Sequence, residues 1–193
     1  MMGMPTVFVR TVGCNLSCEW CDTRYSMDGG TEMELDEIMD AVGDCPHVCV
    51  TGGEPLLQRD MPELLQMMMD AGKQVVLETN GSRDLSVVPV DPLMLISMDV
   101  KCPSSGMTDR MMLSNLALLS KKDQLKFIVR DDADFDFVLD LLKEHPVDTN
   151  IIFGPVGGTV NLEWLVDRVL SSGLEARVLP QLHKIIWGDR RSV

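Results

Sequence analysis

The sequence lacks the apolar stretches that insert a protein into a membrane. No run of apolar residues approaches the roughly 18 that a membrane-spanning helix needs. The first residues, Met1 to Pro5, show neither the basic start nor the apolar stretch of a secretory signal. We therefore expect a cytoplasmic protein with no membrane partner.

Positive charge and aromatic side chains are also scarce. The chain has 17 Lys and Arg against 30 Asp and Glu, a formal net charge of -13. Because nucleic-acid backbones are bound by clustered Lys and Arg, we expect no nucleic-acid partner. Aromatic residues make up only 5% of the chain, whereas Met occurs 15 times. We assign these methionines to core packing, since the flexible thioether fills irregular gaps.

The 193 residues do contain a regular alternation of short apolar strands and amphipathic helices. Repeated about six times, this alternation predicts an α/β fold with a parallel sheet and crossover helices. No repeat or linker interrupts it, so we expect a single domain over residues 1–193. The predicted strands are 6–10, 48–51, 74–77, 93–100, 125–129 and 150–153, with a last extended piece at 176–179. The predicted helices are 34–42, 61–71, 109–119, 135–143 and 162–170.

Three of the six cysteines follow the first predicted strand: Cys14, Cys18 and Cys21, with the spacing C-x3-C-x2-C. Thiolates are the usual ligands of iron–sulfur clusters, and ordinary clusters take four of them. Three on one short loop leave one iron open, and this iron can chelate the amino and carboxylate groups of S-adenosylmethionine (SAM). We therefore predict a [4Fe–4S] cluster that reductively cleaves SAM to an adenosyl radical.

The alternative for these cysteines is a structural zinc site. Zinc would require a fourth ligand, for which Cys45, His47, Cys49 and Cys102 are the candidates. Such a site would suit a tRNA-binding or scaffold module, although the net charge of -13 argues against RNA binding. If the cluster prediction is right, Cys45, Cys49 and Cys102 are packed thiols.

The cysteine loop and its surroundings, from Val7-Phe8-Val9-Arg10 to Cys21-Asp22-Thr23, resemble the radical SAM superfamily. Within it, the sequence is similar to the 7-carboxy-7-deazaguanine synthases over essentially its whole length. The other matching segments are Thr51-Gly52-Gly53-Glu54-Pro55-Leu56, Glu78-Thr79-Asn80-Gly81, Lys101-Cys102-Pro103-Ser104-Ser105-Gly106, Gln124-Leu125-Lys126-Phe127 and Gln181-Leu182-His183-Lys184.

This resemblance implies a reduced radical SAM core, a partial (β/α)6 barrel, and a lyase reaction. The family converts 6-carboxy-5,6,7,8-tetrahydropterin to 7-carboxy-7-deazaguanine with release of ammonia, on the route to the tRNA bases queuosine and archaeosine. It implies a homodimer that uses Mg²⁺ and regenerates SAM, with a flavodoxin- or ferredoxin-type electron donor. The alternative with the same cluster is an activase that places a glycyl radical on a partner enzyme.

The resemblance also assigns site residues. The catalytic cluster ligands are Cys14, Cys18 and Cys21, and Thr23 is the magnesium ligand. Cofactor-binding residues are Trp20, Cys21, Asp22, Gly53, Glu54, Glu78, Asp99, Lys101, Gly154 and Pro155. Substrate-binding residues are Arg10, Thr51 and His183.

Chemistry supports two of these assignments. The guanidinium of Arg10 suits the pterin carboxylate, which it can bind through two parallel hydrogen bonds. At Gly52-Gly53, the absence of Cβ atoms lets the backbone approach the cofactor closely.

The sequence departs from the family pattern in two places. Before the first strand the family has a Gln-Gly-Glu-Gly-type stretch, where this sequence reads Met1-Met2-Gly3-Met4-Pro5. After the sixth strand it often has Gln-Pro, where this sequence has Gly154-Pro155. We therefore expect part of the substrate pocket to differ and a side-chain contact to the cofactor to be lost.

Overall fold

Seven parallel strands form one sheet in chain order, within the residues that the computed structural model describes, which are 3–157, 160–188 and 190. Each strand pairs in parallel with the next. The strands are β1 (Val7–Thr11), β2 (His47–Gly52), β3 (Gln74–Thr79), β4 (Met94–Val100), β5 (Gln124–Val129), β6 (Asn150–Pro155) and β7 (Ala176–Val178). The predicted parallel α/β fold is confirmed, and the last extended piece is the seventh strand.

The core lies between one face of this sheet and four helices. These are α1 (Leu35–Val42), α2 (Met61–Asp70), α3 (Asp132–Glu144) and α4 (Leu162–Ser172), and a short helix α5 (Leu182–Trp187) follows β7. Alternate strand residues point into the core, as Leu125 and Phe127 do on β5, while Lys126 between them faces the other side. No described helix is long and apolar enough to span a bilayer.

One predicted helix is wrong. Residues 109–119 form two 3-10 turns, Thr108–Arg110 and Leu113–Leu118, instead of an α-helix. The reason is Asn115, which is fully buried. Its Oδ1 accepts a hydrogen bond from Leu85 N, and its Nδ2 donates to Gly81 O and Arg83 O. These contacts fasten the segment to the β3–β4 connection, so tertiary structure overrides its helical periodicity.

Candidate active site

A cavity of about 510 Å³ lies at the carboxyl ends of the strands, where parallel α/β folds bind their ligands. Its volume is in the range of roughly 300–1,000 Å³ that is usual for cofactor and small-molecule sites. One wall is the loop after β1, and the floor is formed by the ends of β2 to β5. Residues 155–157 and two side chains near α5, Gln181 and Lys184, complete the lining.

All three motif cysteines line this cavity and are free, half-buried thiols. In the described part of the chain, no three His, Cys, Asp or Glu side chains converge on a point where one metal ion could bind. Three free thiols on one loop at the cavity supply the ligand type that iron–sulfur clusters use. Burial raises the pKa of the Cys18 thiol, and the charge of Lys101 opposes this shift.

The Gly-Gly motif fits against the cysteine loop. A Cβ on Gly53 would lie 2.0 Å from Gly13 O, and one on Gly52 would lie 2.3 Å from Thr11 O. The backbones are joined there, because Glu54 N donates to Gly13 O at 2.8 Å. Gly53 also lines the cavity. From the sequence we expected these glycines to approach the cofactor, but the backbone close to Gly52 is the end of β1, and the backbone close to Gly53 is the loop that carries Cys14.

Glu54 lies beneath the cavity and does not line it. Its side chain is fully buried and accepts hydrogen bonds from Leu56 N, Thr79 Oγ1 and Asn80 N at 2.7 to 3.0 Å. Burial raises the pKa of this carboxyl, and the three donors oppose the rise. Glu54 therefore joins the end of β2 to the end of β3.

Two ion pairs stand in the cavity. Lys101 Nζ lies 3.0 Å from Asp99 Oδ2, and Lys126 Nζ lies 2.7 Å from Glu78 Oε2. Burial by itself would lower the pKa of Lys101, but the Asp99 carboxylate outweighs it and the net shift is upward. Asp99 Oδ1 is buried and has no hydrogen-bond partner in the described structure. It is a ready acceptor for a ligand hydroxyl or amino group, and SAM offers both.

Lys126 was not predicted as a site residue. Its signal in the sequence is a charged side chain in the middle of an otherwise apolar strand, Gln124–Val129. Such a residue must find a partner or a ligand on the face of the sheet opposite the core.

Trp20 is anchored to the segment that follows β4. Its Nε1 donates to Ser104 Oγ at 3.1 Å, and the Lys101 ammonium lies 5.8 Å from the ring centroid. Ser104 is held in turn by Asp134, which is fully buried and accepts from Ser104 N, Ser104 Oγ and Arg130 N. Sequence reasoning missed Asp134, because an Asp in the first turn of a helix is usually read as a capping residue.

Asp22 connects the cysteine loop to the last helix. Gln181 Nε2 donates to Asp22 Oδ2 at 2.5 Å, and Lys184 Nζ lies 4.0 Å from the same oxygen. Thr23 Oγ1, the predicted magnesium ligand, donates to Asp22 Oδ1 at 2.8 Å. Partial burial would raise the pKa of Asp22, but the hydrogen bonds from Gln181 and Thr23 outweigh it and lower the pKa.

The remaining predicted residues divide into two groups. Thr51 and Pro155 line the cavity. Arg10, Gly154 and His183 are not among its lining residues: Gly154 is buried, and the other two are exposed. The Arg10 guanidinium lies over the ring of Tyr25, 5.6 Å from its centroid.

The fold and the cysteine loop are similar to those of radical SAM proteins. A family model described as the radical SAM superfamily matches residues 8–94. Among solved structures, SuiB of Streptococcus suis bound to S-adenosylmethionine matches with a TM-score of 0.66 and 12% identity. The match covers 91% of this chain and 50% of that one, so the chain spans about half the length of SuiB. The family model thus covers the cysteine loop with strands β2 and β3, and the structural match shows a shared fold.

Relatives at higher identity define the family within this class. The 7-carboxy-7-deazaguanine synthase of Thermoplasma acidophilum is 42% identical over 97% of this chain and 90% of the relative. The enzyme of the same name from Methanospirillum hungatei is 43% identical over 95% of this chain and 78% of the relative. The chain belongs to the 7-carboxy-7-deazaguanine synthase family, which confirms the resemblance seen in the sequence.

The other three cysteines do not line the cavity. Burial raises the pKa of Cys49 to about 12 and also raises that of Cys102. At pH 8.5, we expect iodoacetamide to alkylate Cys49 roughly a thousandfold more slowly than an ordinary exposed thiol, because the thiolate is the reacting form. Cys45 is half-buried and serves as the control. Labelling of the anaerobic, cluster-loaded protein, followed by mass spectrometry, measures both rates, and equal rates would contradict the assignment of Cys49 as a packed thiol.

Proposed function

We propose that the chain is a radical SAM lyase that converts 6-carboxy-5,6,7,8-tetrahydropterin to 7-carboxy-7-deazaguanine with release of ammonia. This product is a precursor of the deazaguanine bases of tRNA. The observation that carries the proposal is the loop of three free cysteines at a 510 Å³ cavity, in a chain of this family. The reaction uses a [4Fe–4S] cluster and SAM.

Different residues of the cavity would bind the cluster and SAM. Cys14, Cys18 and Cys21 would hold the cluster, which would supply radical chemistry together with SAM. Asp99 would accept a hydrogen bond from SAM through its unpartnered Oδ1, and Lys101 holds the other carboxylate oxygen. The remaining contacts to SAM come from Trp20, Asp22, Gly53, Glu78 and Pro155, all of which line the cavity.

The substrate needs a carboxylate partner and a metal. Arg10 and Thr51 occupy paired positions on β1 and β2, on the face of the sheet opposite the core, and we assign them to the pterin. Thr23 and the neighbouring Asp22 would supply oxygen atoms, which Mg²⁺ prefers, and waters and substrate oxygens would complete its coordination. His183 lies on α5 beside Lys184, which reaches the cavity, and it would contact the substrate from that side.

We also propose a homodimer, a small electron-transfer partner and no nucleic-acid partner. The dimer would cover the exposed apolar side chains of α5, which are Ile185, Ile186 and Trp187. A flavodoxin- or ferredoxin-type donor would meet Arg24 and Arg130, which both contact Glu19 in the cysteine loop. Free cysteines and an iron–sulfur cluster suit the reducing cytoplasm.

The test is turnover by the anaerobically reconstituted protein with carboxytetrahydropterin, SAM, Mg²⁺ and a chemical reductant. We expect 7-carboxy-7-deazaguanine to accumulate over many turnovers while the amount of SAM stays constant, because SAM is regenerated in the family's reaction. A glycyl-radical activase would instead consume SAM and leave the pterin unchanged. A verified cluster with no deazaguanine product would exclude the proposed reaction.

A further inference from the structure

The sulfur of Cys14 receives two N–H donors. Leu16 N lies 3.4 Å from Cys14 Sγ, and the side-chain amide of Asn80 places Nδ2 3.6 Å from it. Hydrogen bonds to sulfur are longer than those to oxygen, and both distances are suitable. The first donor belongs to the cysteine loop itself, but the second comes from the end of β3, 66 residues away in sequence.

A closed ring of hydrogen bonds fixes which end of the Asn80 amide faces the sulfur. Asn80 Nδ2 donates to Asn15 Oδ1, Asn15 Nδ2 donates to Ser82 Oγ, and Ser82 Oγ donates to Asn80 Oδ1. Ser82 N also donates to Asn80 Oδ1 at 2.9 Å. If the amide were flipped, its oxygen would face Asn15 Oδ1 and its NH₂ would face Ser82 N, so two favourable contacts would become repulsive. The NH₂ group must therefore point at Cys14.

The backbone at Asn80 is held independently of this side chain. Asn80 N donates to the buried carboxylate of Glu54 at 2.7 Å, and the residue is only 7% exposed. Any residue other than proline keeps this backbone bond. The Asn80 amide can therefore be removed without releasing the end of β3 from Glu54.

A donor aimed at a cluster thiolate stabilises the reduced cluster more than the oxidised one, because reduction adds negative charge. Hydrogen bonds to ligand sulfurs are one of the means by which proteins set cluster potentials. The Asn80 amide is buried and locked in orientation, so little of its effect is lost to water or to motion.

We infer that Asn80 is a positioning residue that raises the reduction potential of the cluster by donating a hydrogen bond from its side-chain amide to Cys14. The inference rests on the proposed function only in that Cys14 is a cluster ligand. Asn80 acts through Cys14 and takes no part in the bond-breaking steps. It makes the cluster easier for the electron donor to reduce, and it lowers the driving force of the next electron transfer by the same amount.

The experiment is a redox titration of the anaerobic holoenzyme, followed by electron paramagnetic resonance of the reduced cluster. In Asn80→Ala we expect the reduction equilibrium to shift roughly tenfold toward the oxidised cluster, which is about 59 mV for a one-electron couple. Asn80→Asp has nearly the same shape but places a carboxylate oxygen near the sulfur, so its shift should be larger and in the same direction. Asn161→Ala is the matched control, since Asn161 caps α4 and does not line the cavity.

Each result decides the question. Lowered potentials in both variants, with an unchanged potential in Asn161→Ala, support the inference. If either Asn80 variant holds a full cluster and has the reduction potential of the wild type, the inference is overturned. Loss of the cluster from both variants while Asn161→Ala loads normally also overturns it, since the amide would then serve assembly and not the potential. The titration needs no substrate, so its outcome is independent of whether the wild-type enzyme forms deazaguanine.

Discussion

Replacing Cys18 with alanine is expected to abolish cluster binding and lower turnover at least about a thousandfold, because the radical chemistry belongs to the cofactor. Cys18 lies in the middle of the three-cysteine loop, half-buried at the cavity. Without it, two thiolates remain on the loop, and a cubane cluster held by only two protein ligands is readily lost. Iron and sulfide analysis of the anaerobically reconstituted variant measures the first effect, and the deazaguanine assay measures the second.

The matched control is Cys45→Ala. Cys45 is also a free, half-buried cysteine, but it does not line the cavity, and its sulfur donates to the carbonyl oxygens of His47 and Pro5. We expect this variant to retain wild-type iron content and turnover. A Cys18→Ala protein with a full complement of iron, or a Cys45→Ala protein without it, would show that the wrong cysteines have been assigned to the cluster.

The second large effect is expected at Asp134, through stability. Replacing Asp134 with alanine leaves two buried donors, Ser104 N and Ser104 Oγ, and the part-buried Arg130 N without their acceptor. We expect the free energy of unfolding to fall by about 3 kcal/mol. For a chain of this size, that corresponds to a decrease of about 6 to 12 °C in Tm. Because Ser104 accepts the hydrogen bond of Trp20, the cluster content of the folded variant should also fall.

Asp140→Ala is the control for this change on the same helix. The Asp140 side chain is 72% exposed and pairs with Lys143 three residues later. Such a surface pair contributes about 0.5 kcal/mol or less, so its loss should leave both Tm and cluster content nearly unchanged. Denaturant unfolding of the wild-type protein and the two variants measures how much each aspartate contributes to the free energy of unfolding. Equal destabilisation by the two substitutions would contradict the anchoring role of Asp134.

The architecture could be predicted because it depends on patterns of apolar and polar residues that are local in the sequence. Alternation of apolar strands with amphipathic helices predicted the parallel sheet, and each of the first six strands was located to within a few residues. The cysteine spacing, together with its position after β1, predicted a loop at the carboxyl edge of the sheet, where the cavity lies. The residue-by-residue binding roles remain predictions.

The features that could not be predicted from the sequence depend on contacts between segments that are far apart in the chain. The periodicity of residues 109–119 predicted a helix, but the buried Asn115 bonds to a connection about 30 residues earlier. Asp134 and Ser104 are likewise 30 residues apart, and neither implies the other. For the Gly52-Gly53 motif, the approach to the cofactor remains a prediction, and the close contact with Thr11 and Gly13 could be identified only from the folded backbone.

The bond between Gln181 and Asp22 joins residues 159 positions apart, and this has a consequence for biosynthesis. A ribosome adds about 5 to 20 residues per second, so the loop waits about 8 to 32 seconds for this partner to be made. The residues that form hydrogen bonds with the cysteine loop are synthesised in the order Asn80, Ser104 and Gln181. The nascent chain thus exposes three unprotected thiols long before their enclosure is complete. The cavity, whose lining includes Gln181 and Lys184, is therefore complete only after these residues have been synthesised.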